Sequence, residues 1–363
     1  MSNLATYQAE AKTGLDKIIR KSRVHFYKPI QVAEILYHHR TNGEFDLADL
    51  EAYRNLSKKW RDEVSYRLIG RVCTSSQRFQ DNLFEPNAVP PSLLKTLGAV
   101  NEVNSGLIEA YVYRSLEARL DQVRRAAGYI KNSTVDSFSL TELLGMFQQT
   151  PGLKRSIDKI YEIAVHALFV TIVRELKAQV TLEVMNEDQE ILHDFQAFLE
   201  MVLGIDPNNT KIVLPAALYR VGVANAADSG LDMWANFGTV FQVKHITLKP
   251  EIVEEIADNL VADRIVIVCL NSEKSAIETL LSQVGWGSRI QGIITLNDLD
   301  EWYRLCFSER HRSKLGTTLL ADILREFNDE FPSSEGLYPF LQERDYDQIK
   351  LPTDWGVVDR NIE

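Results

Sequence analysis

The sequence predicts an α/β protein with a mixed central sheet flanked by helices, preceded by an N-terminal, mostly helical domain. Two patterns support this fold class. Apolar residues recur at helical spacing over about residues 7–130, whereas Val- and Ile-rich runs alternate with helical segments beyond residue 150. The segment KNSTVDSFS at 131–139 is the best linker candidate between them. We therefore expect one domain over residues 1–140 and a second over residues 150–363.

The composition is that of an ordinary water-soluble protein, with 363 residues, 45% of them hydrophobic and 25% charged. The most apolar stretch, residues 160–173, is interrupted by Glu162 and His166 and is too short to span a bilayer. A polar segment follows Met1. These features predict a cytoplasmic protein without a membrane partner. The three cysteines have no C-x-x-C spacing, which argues against a disulfide framework or a structural zinc site.

The N-terminal part is predicted to be helical from the spacing of its apolar residues. One helix is expected to start near Lys28-Pro29, where a proline fits the first turn. The apolar positions that support this helix and a later one are Ile30, Ala33, Ile35 and Leu36, and then Leu107, Tyr111, Leu116 and Leu120.

The net charge of −11 argues against a nucleic-acid partner, because phosphate binding needs an excess of Lys and Arg. The charge is, however, unevenly distributed along the chain. Residues 1–132 contain 20 Lys and Arg against 15 Asp and Glu, a net charge of +5, and the remaining residues carry the other −16. The N-terminal part is therefore the basic one.

Two segments of that part, 17–28 and 54–78, concentrate cations among aromatic residues, a mixture suited to phosphate and base contact. A third basic segment, SERHRSKLG at 308–316, stands out in the acidic C-terminal part. The alternative for each segment is a solvated helical face. The cations predicted to contact DNA are Arg23, Lys28, Lys58, Lys59, Arg61 and Arg312.

Beyond the linker, helical and strand patterns alternate in the order of one helical region, three strands, a helix, a strand, a helix and a strand. This order predicts a mixed sheet covered by helices on both faces. The predicted helices are 156–180, 188–203, 249–261 and 274–286, and the predicted strands are 211–218, 230–235, 239–247, 264–270 and 289–296.

The stretch GLDMWANFGTVFQVKHITL at 230–248 places charged residues among apolar ones in two adjacent strands. Because side chains alternate along a strand, Gln242 and Lys244 point to one face, and a short connection lets Asp232 approach them. A carboxylate, a carboxamide oxygen and an ammonium can hold a divalent cation beside a water, as phosphodiester hydrolysis requires. The alternative is a surface Lys244 with Asp232 as a turn residue.

This arrangement resembles the active-site hairpin of the PD-(D/E)XK nuclease superfamily, whose core has the same αβββαβ order. The resemblance implies a restriction-endonuclease-like core, with Asp232, Gln242 and Lys244 as the catalytic set. The superfamily usually has Glu or Asp where this chain has Gln242, so the site lacks one negative charge. A helix carboxylate, Glu190 or Asp194, is a candidate third metal ligand. Other candidates are Glu183, Glu187 and, as an alternative first acid, Asp228.

Four segments resemble the HaeII-type family of type II restriction endonucleases: DMWANFG and QVKH within 230–248, SRVHFYKPIQVAEIL at 22–36 and KKWRDEV at 58–64. The resemblance implies Mg²⁺-dependent cleavage of both strands of duplex DNA at purine-GCGC-pyrimidine. Asp232 and Gln242 would hold the metal, with Glu190 completing the site. A palindromic target implies a homodimer. Residues 1–140 are then the expected region for DNA recognition and dimerisation, and residues 150–363 the expected nuclease domain. The chain has no G-x-x-x-x-G-K-[ST] loop, so no nucleotide cofactor is expected.

Two other functions stay open at this point. Gln242 in place of an acid favours a non-catalytic DNA-binding protein with a nuclease-like fold. A structure-directed repair or junction nuclease of the same superfamily is the other possibility. His166 is expected to be a core histidine, and His245 is expected to pack on the opposite side of its strand from Lys244 rather than take part in catalysis.

Overall fold

The structure is a computed structural model that describes residues 2–43, 45–221, 231–259, 262–272, 289–333 and 335–356. The chain divides into two compact units. The first contains the chain up to Ile160 and the chain from Leu324 onward; the second contains Tyr161–Val221 and the described residues up to Ile323. The division at 1–140 and 150–363 expected from the sequence did not anticipate that the C-terminal segment groups with the helical unit.

The first unit is built from helices, as the apolar spacing predicts. Its helices are α1 (Ser2–Lys21), α2 (Tyr27–Asn42), α3 (Leu50–Ile69), α4 (Gln77–Asp81), α5 (Pro91–Val103), α6 (Leu107–Asn132) and α7 (Leu140–Gln149). Gly43 and Gly70 end α2 and α3 at φ 67°, a backbone conformation that glycine adopts at little cost. Asp49 begins α3 because its side chain accepts a hydrogen bond from the Glu51 amide.

Two buried glutamates tie the C-terminal segment to the helical unit. Glu34 on α2 is 1% exposed and accepts a hydrogen bond of 2.6 Å from Arg344. Glu109 on α6 is fully buried and accepts bonds of 2.8 Å from Arg40 and 2.6 Å from the Tyr346 hydroxyl. Buried carboxylates require such partners. The segment that includes α14 (Leu337–Glu343) is therefore held by specific polar contacts.

The second unit contains the predicted mixed sheet. Its strands are β3 (Leu218–Arg220), β4 (Met233–Ala235), β5 (Thr239–Leu248), β6 (Arg264–Ser272) and β7 (Ile290–Ile294). They lie in sequence order, antiparallel from β3 to β5 and parallel from β5 to β7. The helices α8 (Ile157–Glu175), α11 (Pro250–Asn259) and α12 (Leu296–Phe307) accompany the sheet, and α13 (Thr317–Glu330) follows them. The predicted fold class is confirmed, while the helix expected at 274–286 lies outside the described residues.

An insertion between α8 and β3 was not predicted. The expected helix 156–180 ends at Glu175, and Gln179–Glu183 instead forms strand β1, which pairs antiparallel with β2 (Lys211–Pro215). The expected strand 211–218 therefore divides into β2 and β3, which belong to two different sheets. Between β1 and β2 lie α9 (Gln189–Asp194), α10 (Gln196–Phe198) and a π-helical turn, Leu199–Leu203. We call residues 176–215 the arm.

The three cysteines are free thiols in the structure. Cys269 and Cys306 are buried, whereas Cys73 is half-buried. In the part of the chain that the structure describes, no helix has the combined length and apolarity needed to cross a membrane.

Candidate active site

A tight hairpin positions the first candidate residue, Asp232, directly before β4. Its amide donates to the Phe241 carbonyl at 3.2 Å, and its own carbonyl accepts from the Val221 amide at 2.9 Å. Asp232 therefore extends the ladder on both sides of β4. Gly238, at φ 87°, allows the short turn to β5 that makes this register possible.

The antiparallel register places Asp232 opposite Gln242 on β5, and their side chains meet. Gln242 Nε2 donates to Asp232 Oδ2 at 2.6 Å, and the Val243 amide donates to the same oxygen at 2.8 Å. Gln242 is 2% exposed and Asp232 is half-buried. No described residue donates a hydrogen bond to Gln242 Oε1. The structure thus brings together the carboxylate and the carboxamide that the sequence singled out.

Lys244 lies two residues after Gln242 on β5, so strand alternation puts both side chains on one face. The register of β5 with β6 becomes irregular directly after Lys244. Lys244 is half-buried, and no hydrogen bond or ion pair joins its ammonium to a described residue. The half-buried ring of His245 packs against Tyr161 of α8 with centroids 5.4 Å apart, in line with the expected packing role.

The donor atoms of this pair suit magnesium. Asp232 and Gln242 offer carboxylate and carboxamide oxygens, the hard ligands that Mg²⁺ prefers. Within the described ranges, no group of three or more His, Cys, Asp or Glu residues lies close enough to hold a metal. Mg²⁺ commonly keeps several waters and uses one or two protein ligands with substrate phosphate. One acid and one amide therefore fit an open, substrate-completed site better than a closed structural one.

The predicted third ligand, Glu190, is not brought to this pair. It is exposed on α9 in the arm, where its amide takes part in the helix cap of Asp188, and no hydrogen bond or ion pair joins it to Asp232 or Gln242. The third ligand was expected from the core helix that accompanies the sheet. In the structure that helix is α8, whereas the segment 188–203 belongs to the arm.

Other candidate acids have partners or lie elsewhere. Glu162, which was not among the predicted ligands, is a buried acid of α8 and forms an ion pair with Arg220 at 3.4 Å. Glu183 in the arm pairs with Lys211 at 3.1 Å. Asp228 lies outside the described residues. Glu187 and Asp194 are exposed in the arm, so among the described residues no carboxylate is identified as a third ligand.

Sequence reasoning missed an exposed aromatic pair beside Asp232. Trp234 follows Asp232 by two residues, so both side chains lie on one face of the sheet. Its ring stacks on Tyr219 of β3 with centroids 4.3 Å apart, and the two side chains are 42% and 44% exposed. The alternation that was applied to Gln242 and Lys244 would have found Trp234 as well.

Asn236, in the turn between β4 and β5, also has a role that the sequence did not reveal. Its side chain accepts a hydrogen bond from the Ala217 amide at 2.9 Å and donates one to the Pro215 carbonyl at 2.9 Å. Its own amide donates to the Ala217 carbonyl at 3.1 Å. The base of the arm is therefore fastened to the turn of the Asp232–Gln242 hairpin.

Cys269 on β6 is a buried thiol that lies opposite Lys244 in the register of β5 with β6. Burial raises the pKa of Cys269 to about 11, so the thiol stays neutral at physiological pH. A neutral, buried thiol is not an effective nucleophile.

The structure separates the cations predicted to contact DNA into two groups. Arg23, Lys59 and Arg312 are exposed, as phosphate contact requires. Lys28 is half-buried with its Nζ 4.4 Å from the ring centroid of Phe79, and burial lowers its pKa.

Lys58 and Arg61 are engaged within the protein. Lys58 Nζ lies 2.8 Å from a carboxylate oxygen of Asp81. Arg61 is 1% exposed and donates to Gln31, Asp62 and Gln80, each at 2.9 Å. Arg61 is therefore poorly placed for the predicted phosphate contact, because its guanidinium is buried and is already engaged by three side chains.

Comparison with known proteins agrees with the motifs in the sequence. The sequence model of the family described as HaeII restriction endonuclease matches residues 11–346. The chain is 48% identical over 343 residues to the type II restriction enzyme NgoBI of Neisseria gonorrhoeae, covering 94% of this chain and 97% of that protein. It is 46% identical over 340 residues to the type II restriction enzyme HaeII of Haemophilus aegyptius, covering 93% and 97%. No solved structure matches.

Both relatives are named as restriction enzymes, so the predicted enzyme class, a site-specific endonuclease that hydrolyses DNA, is confirmed. The match extends from α1 to the C-terminal segment that returns to the helical unit. Since the family model covers nearly all of the chain, this protein belongs to the HaeII restriction endonuclease family.

Proposed function

We propose that this type II restriction endonuclease depends on magnesium and cuts both strands of duplex DNA at purine-GCGC-pyrimidine. The observation that carries the catalytic part is the contact of Asp232 with Gln242, with Lys244 on the same strand face and without a described partner. The target sequence rests on the resemblance to the HaeII-type family.

In this proposal, Asp232 Oδ1 and Gln242 Oε1 would hold the Mg²⁺ ion. When bound, the ion supplies polarisation of the scissile phosphate and lowers the pKa of a coordinated water. Gln242 Nε2 and the Val243 amide hold the other carboxylate oxygen of Asp232, which fixes its orientation. The Lys244 ammonium donates to the attacking water or to the charged phosphate oxygens.

A palindromic target read by identical subunits requires a two-fold symmetric dimer with one active site for each strand. The homodimer is therefore part of the proposal. Arg23, Lys59 and Arg312 are the predicted phosphate contacts that the structure leaves exposed.

The test is cleavage of a sequenced plasmid in the presence of Mg²⁺, followed by sequencing of the fragment ends. We expect discrete fragments whose ends map to purine-GCGC-pyrimidine. Lys244→Ala is expected to bind this DNA with wild-type affinity and to lose at least about 100-fold in cleavage rate. Lys249→Ala, which removes an exposed lysine five residues further on, is the matched control and should cut normally.

Three outcomes would contradict parts of the proposal. Wild-type cleavage by Lys244→Ala would remove this residue from catalysis. Binding without any cutting would favour the non-catalytic alternative, which Gln242 in place of an acid supports. Cutting restricted to branched substrates would favour the structure-directed nuclease.

A further inference from the structure

The arm, residues 176–215, carries an unusual share of exposed apolar side chains. Half of the large apolar residues that are exposed in the described chain belong to it, although the arm is about a tenth of the sequence. They are Leu176, Leu182, Met185, Ile191, Phe195, Phe198, Met201, Val202, Val213 and Leu214, each 39% to 81% exposed. Single exposed apolar residues are ordinary, but such a concentration marks an interaction surface.

The helical part of the arm presents four of these residues as one stripe. Ile191, Phe195, Phe198 and Val202 follow one another at spacings of four, three and four residues through α9, α10 and the π-helical turn, the spacing at which successive helical turns present side chains on one side. They are 46% to 62% exposed. Leu192 and Leu199, each one residue after a member of this stripe, are buried. The helical part of the arm is therefore apolar on two neighbouring sides, and only one of them is covered.

The hairpin of the arm has a second incompletely covered face. The pairing of β1 with β2 puts Leu182 opposite Ile212, with Leu214 two residues further on the same face. The other face carries the ion pair of Glu183 with Lys211. Leu182 and Leu214 remain 39% and 47% exposed. A lone two-stranded hairpin is marginal in water, so this face gains from a partner.

The exposed apolar area matches one side of a stable interface. Burying a large apolar side chain removes roughly 60 to 120 Å² from water, so ten side chains that are about half exposed present on the order of 500 Å². A standard interface buries about 800 Å² on each partner, of which roughly 60% is apolar. The two areas agree.

The charge of the arm indicates which kind of partner fits it. Residues 176–215 contain seven Asp and Glu but only Lys177 and Lys211 as cations, a net charge of −5. A surface of this charge repels DNA phosphates and anionic lipid. The partner is therefore a protein surface that offers apolar side chains.

We propose that the arm is the dimer interface of this enzyme and that its partner is the arm of a second copy of the same chain. This inference rests on the proposed function, because a palindromic target calls for two-fold symmetry, and a two-fold contact joins the same patch on both copies. It differs from the expectation that residues 1–140 mediate dimerisation. Asn236 fastens the base of the arm to the Asp232–Gln242 hairpin, so the interface lies on an element that is directly bonded to the active-site turn.

The test measures self-association without DNA, by sedimentation velocity over a range of protein concentrations. The variant Phe195→Asp with Phe198→Asp should weaken dimerisation by at least about 100-fold, since apolar anchors dominate interface affinity. Val103→Asp changes a residue that is 84% exposed on α5 and is the matched control. The control should dimerise like the wild type.

The dependence of dimerisation on ionic strength is a second test, because the direction of the salt effect distinguishes an apolar interface from one held by ion pairs. Acidic side chains such as Glu190, Asp194 and Glu200 flank the stripe, and two arms bring like charges together. Added salt should therefore strengthen dimerisation, because it screens their repulsion. An interface held by ion pairs would weaken with salt, and that result would overturn the proposal.

Hydrogen exchange on the wild-type protein tests the same surface without relying on a variant that folds. Amides of residues 189–203 should exchange more slowly as the protein concentration rises, while those of α5 should not change. A monomer at all concentrations, a double variant that still dimerises, or protection confined to residues 1–140 would refute the arm as the interface. A dimer that depends on the arm but cuts no DNA would refute the proposed function alone.

Discussion

The replacement of Gln242 by Glu tests the proposed metal site through stability as well as activity. In the wild-type protein, Gln242 Nε2 donates to Asp232 Oδ2 at 2.6 Å, and Gln242 is 2% exposed. The variant Gln242→Glu converts this donor into a second carboxylate oxygen. A favourable hydrogen bond then becomes a contact between two negative charges in a buried place.

The size of the effect follows from two contributions. A hydrogen bond to a charged group contributes about 1.5–3 kcal/mol, and this bond is lost. Two unit charges about 4 Å apart at an effective dielectric constant near 20 repel by about 4 kcal/mol. Relaxation and proton sharing reduce the sum, so we expect the metal-free variant to lose about 2–4 kcal/mol at pH 8.

This penalty should depend on pH and on metal. As the pH falls, one proton shared by the two carboxyl groups removes the repulsion and restores a hydrogen bond, so the loss of stability should shrink. Magnesium should likewise stabilise the variant more than the wild type, because a site with two acids binds the cation more tightly.

Urea unfolding at pH 8 and pH 5.5, with and without Mg²⁺, measures these effects. Gln291→Glu, which adds a carboxylate at an exposed position of β7, is the matched control and should change little. A Gln242→Glu variant as stable as the wild type without metal, or one that gains nothing from Mg²⁺, would refute the proposed role of this pair.

Three further predictions concern other parts of the molecule. Arg61→Ala should lower the free energy of unfolding by about 2–4 kcal/mol, because its buried partners lose their hydrogen-bond donor. Lys59→Ala should leave urea unfolding unchanged, but it should reduce the slope of log affinity for DNA against log salt concentration by about one. Burial lowers the pKa of His25 to about 4, so its neutral form contributes stability above pH 6.5 that is lost as the pH falls towards 4. Replacing His25 by Asn should remove about 3 kcal/mol of that pH dependence. An unchanged pH profile of urea unfolding would contradict this. Trp234→Ala should raise the KM for DNA about tenfold, because its exposed ring lies on the same sheet face as Asp232 and can pack against the substrate. Tyr66→Ala, which removes an exposed ring of α3, is the control, and an unchanged KM for Trp234→Ala would contradict this contact.

The candidate hairpin was predictable because all of its determinants are local. The short turn fixes the register of β4 and β5, and strand alternation then decides which side chains share a face. Asp232 and Gln242 meet for these two reasons. The Val- and Ile-rich run that became β6 was equally clear, since a fully buried strand has few polar residues.

The features that escaped prediction depend on distant residues. The segment 179–183 has ordinary strand propensity, but no local pattern tells which sheet a strand joins, and β1 and β2 pair across a helical insertion. Arg61 looks like a surface cation of an amphipathic helix, yet its partners Gln31 and Gln80 come from two other places in the chain. The return of the C-terminal segment depends on Arg344 meeting Glu34, a pair separated by 310 residues.

The neutral side chain of Gln242 has a consequence for the order in which the active complex assembles. A site with two carboxylates repels an approaching phosphate until a cation arrives, so such a site favours loading of the metal first. In the proposed site, Asp232 supplies one negative charge and Lys244 one positive charge, so the charges of these two residues offset each other. On the proposed function, we expect this enzyme to move along DNA without a metal ion at little electrostatic cost and to bind Mg²⁺ at the target, where a phosphate oxygen would join Asp232 and Gln242 in holding the ion.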